Sequence, residues 1–135
     1  MPYQSKDDAR WKAIGGGDRI EVTLMKPVGG MRGTAWFDTA LKGTREYLLT
    51  NHSLTESEQY GLLHIPEKFE ENFYDMTGKS LKIHCSKPDV VPFPRCKVKS
   101  QYREDLVLEY YYGLNFLPQW REIDNNLKKL FQQFS

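Results

Sequence analysis

Alternating polar and apolar positions in the first third of the chain predict β-strands. Residues 19–24 alternate in this way and include β-branched side chains, which is typical of a half-buried strand. Pro27 and the two glycines at 29–30 then predict a turn. Residues 34–38 are the predicted hairpin partner, and residues 45–50 are a third candidate strand.

The middle of the chain combines helix and strand signals. Residues 55–58 fit a capping box, which can start a short helix, whereas residues 60–65 favour a strand. Residues 66–76 predict a helix, because proline suits a first helical turn and three apolar residues then fall on one face. Those three residues are Phe69, Phe73 and Met76.

The last 55 residues carry the clearest patterns. Strands are predicted at 81–85, 96–99 and 106–112, and a proline-rich loop at 86–95. Residues 117–134 predict an amphipathic helix. Its apolar stripe consists of Trp120, Ile123, Leu127, Leu130, Phe131 and Phe134. Its predicted polar face consists of Arg121, Asp124, Asn125, Lys128 and Gln132.

These elements predict an α+β fold in a single domain over residues 1–135. We expect an antiparallel β-sheet of about five to seven strands, with a short middle helix near 66–76 and the C-terminal helix packed on it. We expect residues 1–17, which end in three glycines, to form an N-terminal arm, and residues 18–113 to be mainly β. The closing helix occupies residues 117–134.

Charge and hydropathy exclude some classes of protein. The chain has 19 basic and 18 acidic residues, which argues against a dedicated nucleic-acid binder. No apolar run approaches the ~20 residues of a membrane helix. Residues 1–8 lack the apolar core of a signal peptide, so we expect either a cytoplasmic protein or a mature form restarted with methionine.

The two cysteines bear on that choice. Cys85 ends one predicted strand and Cys96 begins the next, so a hairpin would bring them together. A disulfide there would contribute about 3 kcal/mol in the chain-entropy model and would indicate a periplasmic or extracellular protein. Two unpaired buried thiols are the alternative. Together with His84 they lack the spacing of a zinc site, so no metal and no cofactor is predicted.

No catalytic residue is predicted. The patterns Gly-x-Ser-x-Gly and His-Glu-x-x-His are absent, and the glycines before Asp18 lack the ending of a phosphate-binding loop. His52, His64 and His84 are scattered along the chain and are interpreted as loop or strand-surface residues.

Basic residues concentrate between positions 79 and 99, where six of them accompany a single acid, Asp89. The loop between the cysteines has an apolar tip at 90–94. An apolar tip ringed by charge is typical of a protein interface. The predicted partner-binding residues are Lys87, Val91, Phe93, Arg95, Lys97 and Lys99. The alternative is that the lysines protect a sheet edge from pairing.

The cysteine-bounded loop, residues 102–110 (YREDLVLEY), residues 117–124 (LPQWREID) and the terminal helix carry a resemblance. They resemble small periplasmic immunity proteins of bacterial contact-dependent, type VI-like secretion systems. The resemblance implies a non-enzymatic, disulfide-bonded inhibitor that neutralises a toxin by occluding it. Its implied partner is a secreted toxin or lipase with an acidic surface.

Two other functions stay open at this point. One is a small hydrolase or transferase whose site is not visible as a motif. The other is a nucleic-acid-binding module that uses Lys82, Lys97 and Lys99 of the basic 79–99 hairpin, with stacking on the tyrosines at 110–112. Those tyrosines are more simply interpreted as a strand packed under the final helix.

Overall fold

The computed structural model describes residues 22–25, 35–103 and 106–133, and these form one antiparallel sheet with helices on both of its faces. The helices are α1 (Ala35–Thr50), α2 (Trp120–Gln133) and a 3-10 segment (Leu114–Gln119) that leads into α2. The strands are β1 (Val22–Met25), β2 (Ser57–Gln59), β3 (Leu62–Pro66), β4 (Glu70–Tyr74), β5 (Leu81–Ser86), β6 (Arg95–Arg103) and β7 (Leu106–Gly113).

The sheet has seven strands in the order β1-β7-β6-β5-β4-β3-β2, and every neighbouring pair is antiparallel. Strands β2 to β7 therefore follow one another as a meander, and β1 adds to the free side of β7. The predicted α+β fold is confirmed. No helix within the described ranges is long and apolar enough to cross a membrane.

One face of the sheet packs against α2 and forms the larger core. Because strand side chains alternate between faces, every second residue of the central strands points to this helix. Ile83, Val98 and Tyr110 are fully buried there, together with Ile123 and Leu127 of α2. The predicted apolar stripe of the C-terminal helix is thus confirmed for these two α2 positions; Phe134 lies outside the described residues.

Asp124 belongs to this buried face and not to the predicted polar face. Its carboxylate accepts hydrogen bonds from the hydroxyls of Tyr110 (2.7 Å) and Ser100 (3.1 Å), and Lys128 lies 2.9 Å away. Burial and this carboxylate raise the pKa of Tyr110 and of Tyr112, which keeps both phenols protonated. A buried acid is stable here because partners satisfy its oxygens.

The opposite face of the sheet is covered in part by α1. Leu41 and Leu48 of this helix pack on Ile65 and Tyr74 of the sheet. The hydroxyls of Thr44 and Tyr74 are 2.8 Å apart and form a hydrogen bond across the contact. This packing fixes the first turn of α1, and with it Trp36, above the central strands.

The turn between β4 and β5 supports α1 from below. Gly78 has a φ of +71°, and a Cβ atom there would lie 2.5 Å from Leu41, so glycine suits both the conformation and the space. Asp75 accepts hydrogen bonds from the N–H groups of Ser80 and Leu81. Burial alone would raise the pKa of Asp75, but these and other hydrogen bonds more than offset it and lower the pKa.

Two segments predicted as strands, 34–38 and 45–50, are wrong, because residues 35–50 form α1. The segment is rich in threonine and contains Gly43, which both weaken a helix signal. Its buried residues Phe37, Leu41 and Leu48 nevertheless repeat at helical spacing. The contact with the sheet face therefore decides the structure.

The helix predicted at 66–76 is also wrong, since this segment contains a turn and β4. Its three apolar residues do not share a buried face, because Phe69 and Met76 are 56% and 61% exposed while Phe73 is buried. Pairing with β3 and β5 outweighs the helical spacing. Residues 55–58 start no helix either. The strand favoured at 60–65 is present as β3 but begins at Leu62, because Tyr60 and Gly61 form the turn before it. The N-terminal arm at 1–17 lies outside the described residues.

Leu127 tests whether α2 completes the main core. Its side chain is fully buried, so Leu127→Ala should lower the free energy of unfolding by about 2–5 kcal/mol. Chemical denaturation measures this change, with Lys129→Ala on the exposed side of α2 as the matched control. A loss below about 0.5 kcal/mol, the range of ordinary surface substitutions, would mean that α2 is peripheral.

Candidate functional site

Cys85 and Cys96 lie directly opposite each other on β5 and β6, and their sulfur atoms are 2.09 Å apart. The predicted disulfide is therefore present, and the alternative of two free thiols is wrong. Both residues are buried on the α2 face. His84 projects from the other face of β5, away from the sulfurs. Within the described ranges no group of three His, Cys, Asp or Glu residues could hold a metal ion.

The disulfide closes the base of the loop between β5 and β6. Within this loop the N–H groups of Val90 and Val91 approach the Lys87 carbonyl oxygen, and the Leu114 N–H donates to the Pro94 carbonyl at 3.0 Å. Phe93 at the tip is 84% exposed, whereas Val91 is half-buried. A covalently closed loop thus presents an aromatic ring to solvent.

An apolar groove of about 670 Å³ lies beside this ring. One wall comes from the prolines of the loop, and the other comes from the 3-10 segment after β7. The apolar residues that line it include Pro92, Phe93, Pro94, Tyr112, Leu114 and Phe116. Arg95 lines the same groove and so brings a positive charge to its rim.

From Arg95 the positive charge continues along β6. The guanidinium of Arg95 lies 5.3 Å from the ring centre of Tyr111, and the Lys97 ammonium lies 5.9 Å from the same ring. Tyr111 therefore orders two cations, whereas Tyr110 and Tyr112 are buried on the α2 face. The interpretation of these tyrosines as a strand packed under the helix holds for the outer two.

Lys87 does not join this group. Its ammonium lies 4.0 Å from Glu71, on the side of the sheet that carries Cys85. Arg95, Lys97 and Lys99 share the other side, since they are alternate residues of β6. The six predicted partner-binding residues therefore lie in three places. Val91 and Phe93 are in the loop, Arg95, Lys97 and Lys99 are on the α1 face, and Lys87 is on the α2 face.

A second feature of the α1 face is a small cluster of basic residues that we call the lysine cavity. Lys82 lies opposite Lys99, and His84 lies opposite Lys97, on adjacent strands. Trp36 of α1 completes a half-enclosed cavity of about 90 Å³ with these four residues. The Lys99 ammonium is 4.7 Å from the Trp36 ring centre. Because β5 and β6 are interior strands, the alternative of lysines that protect a sheet edge is wrong.

In the lysine cavity, burial and neighbouring positive charges lower the pKa of two lysines. Burial, with the charge of Lys99, lowers the pKa of Lys82. Burial, with the charge of Lys97, also lowers the pKa of Lys99, although Glu109 lies 3.8 Å from the Lys99 ammonium. His84 is engaged elsewhere, with Nε2 2.6 Å from Glu70. Positive charge at this place is therefore only partly compensated by the described residues.

The third arrangement is a hydrogen-bonded chain of Ser57, His64 and Glu71 on β2, β3 and β4. The Ser57 hydroxyl lies 3.3 Å from His64 Nδ1, and His64 Nε2 contacts the Glu71 carboxylate. A proton on Nε2 donated to Glu71 leaves Nδ1 free to accept from the serine. Neither Ser57 nor His64 lines the apolar groove or the lysine cavity.

Sequence reasoning missed parts of these sites for identifiable reasons. The sequence pattern predicts a strand at Trp36, and a strand there does not indicate that its side chain lies beside Lys82 and Lys99. The partners Ser57 and His64 are brought together by a two-residue turn at Tyr60 and Gly61, both with positive φ. Such turns are signalled by glycine at the second position, so the register of this hairpin was accessible from the sequence.

Comparisons of the chain with protein-family models, with curated proteins and with solved structures find no match.

The disulfide has a direct chemical test. Protein isolated from its native compartment and denatured without reductant should show no free thiol, because the pair is buried and directly opposed. Denaturation in the presence of reductant provides the control and should release both thiols. Two free thiols without reduction would contradict the disulfide and the oxidising compartment together.

Proposed function

We propose that this chain is a non-enzymatic protein-binding domain that docks through the tip of the β5–β6 loop. The observation that carries the proposal is Phe93, whose ring is 84% exposed at the end of a disulfide-closed loop and beside an apolar groove. Aromatic anchors with an adjacent pocket are typical of the residues that dominate binding energy. A loop already closed by a disulfide loses less entropy on binding.

The positive charge beside the loop tip favours an acidic partner. Arg95 at the rim of the groove and Lys97 beside it extend the apolar tip with two cations on one face. Complementary charge around an apolar centre increases the association rate and selects among partners. Lys99 lies deeper, with 19% of its side chain exposed, so it contributes through its field more than through contact.

The more specific proposal is an immunity-type inhibitor that occludes a secreted bacterial toxin or lipase in the periplasm. It depends on the resemblance of the C-terminal third to immunity proteins. The disulfide supports an oxidising compartment for this function. Steric occlusion requires a protruding, pre-ordered element, and the Phe93 loop has this form.

Phe93→Ala tests the docking surface. The partner is first obtained by co-purification from the native host, and its binding kinetics are then measured. We expect the variant to dissociate at least about tenfold faster, because it loses a desolvated anchor. Arg95→Glu should instead slow association and weaken its salt dependence, since that charge acts before contact.

Tyr47→Ala is the matched control for this measurement, because Tyr47 is an aromatic residue with 63% exposure on α1. Its binding should equal that of the unmodified protein. Unchanged kinetics in both Phe93→Ala and Arg95→Glu would place the interface elsewhere and overturn the proposal.

A hydrolase is the second candidate, and the Ser57–His64–Glu71 chain is the observation that favours it. A histidine between a hydroxyl and a carboxylate is the arrangement that activates a serine nucleophile. The binding-domain proposal is stronger, because Ser57 is exposed on the edge strand β2 and lines neither of the cavities described above.

Hydrolysis of p-nitrophenyl acetate separates these two candidates. We expect Ser57→Ala to hydrolyse the ester at the same rate as the unmodified protein, because the serine lines neither the apolar groove nor the lysine cavity. Ser53→Ala, an exposed serine in the loop after α1, is the control. A loss of about a thousandfold or more in Ser57→Ala alone would establish a catalytic serine instead.

A further inference from the structure

The lysines of the cavity beneath Trp36 lie so close together that their mutual repulsion opposes folding. Lys82 lies directly opposite Lys99 across the β5–β6 pair, and Lys97 is the next residue on the same face of β6. Like charges placed opposite each other in a sheet are destabilising. These residues lie on interior strands and partly below a helix, so solvation does not fully relieve the repulsion.

We propose that the lysine cavity binds one doubly charged phosphoryl group. In the part of the chain that the structure describes, Glu109 is the acid within ion-pair distance of Lys97 and Lys99, and Glu67 and Glu70 also act electrostatically on Lys82. Within ion-pair distance, three ammonium groups therefore face one described carboxylate, and this local excess of about two positive charges matches the charge of about −1.5 to −2 on a phosphate monoester near neutral pH. A carboxylate ligand, with one charge, would leave the cavity under-compensated.

The size of the lysine cavity limits the ligand. A volume of about 90 Å³ admits a group of a few heavy atoms, such as a phosphoryl group, but not a nucleobase or a polynucleotide strand. The Trp36 ring forms one wall of the cavity, where it can pack against the organic group that carries the phosphate. The structure thus favours a free phosphate or a terminal phosphate ester over continuous nucleic acid.

Binding would also offset the cost of the buried ammonium groups. Burial disfavours the charged forms of Lys82 and Lys99, and a dianion between them would favour those charged forms again. A ligand that binds the folded chain and not the unfolded chain stabilises the fold by mass action. The phosphoryl site does not depend on the docking function, because Phe93 lies outside it.

Inorganic phosphate is the probe for this site. The melting temperature of the purified protein should rise saturably with phosphate at constant ionic strength. Isothermal titration calorimetry should give a dissociation constant that increases at least about tenfold in Lys82→Met and in Lys99→Met, because each loses one charged contact. Phenyl phosphate in a parallel titration distinguishes a monoester site from one that accepts free phosphate alone.

Two controls make the result specific. Lys129→Met, which removes an exposed lysine from α2, should bind phosphate like the unmodified protein. Without phosphate, Lys82→Met should melt no lower than the unmodified protein, since it removes a repulsion; if it fails to fold, Lys97→Met replaces it.

The proposal is overturned if phosphate does not bind saturably, if chloride at equal ionic strength has the same effect, or if Lys129→Met weakens binding equally. Binding of single-stranded RNA without binding of phosphate would overturn it as well.

Discussion

The register between β5 and β6 is the constraint on which the candidate sites depend. With Cys85 opposite Cys96, every residue of these two strands is assigned to one face or the other. A slip of one residue would exchange the faces, moving the lysines into the apolar core under α2 and the cysteines out of it. The buried disulfide excludes that slip covalently, so the bond that closes the β5–β6 loop also determines where the basic residues project.

This register separates two environments on the two sides of one sheet. The α2 side is a continuous apolar core in which one acid, Asp124, is fully provided with partners. The α1 side is polar over the central strands, because α1 packs mainly near β3 and β4. The apolar contacts that stabilise the fold are therefore mainly on the α2 side. The α1 side can carry charged side chains whose burial in the core would be unfavourable.

The sequence predicts the parts of this arrangement that depend on local alternation. The strands around the cysteines, the disulfide and the buried positions Ile123 and Leu127 of α2 follow from side-chain repeats of two and of 3.6 residues, and all are observed. The secondary structure of residues 35–50 and 66–76 does not follow from the sequence, because tertiary contacts decide between weak local preferences there. The lysine cavity does not follow from the sequence either, because Trp36 comes from the helix that the pattern predicts as a strand, whereas the other four lining residues lie on the predicted strands β5 and β6.

Strand β6 links the two proposed sites physically. Arg95, Lys97 and Lys99 are alternate residues on one face, so the cation at the groove and the cations of the lysine cavity contribute to a common field. A dianion in the cavity would neutralise part of that field and reduce the attraction that Arg95 and Lys97 exert on an acidic protein. By linkage, a docked acidic partner would weaken phosphoryl binding by the same factor. In the proposed docking Phe93 would bind through apolar contact, so this coupling would act on the association of the partner more than on its dissociation.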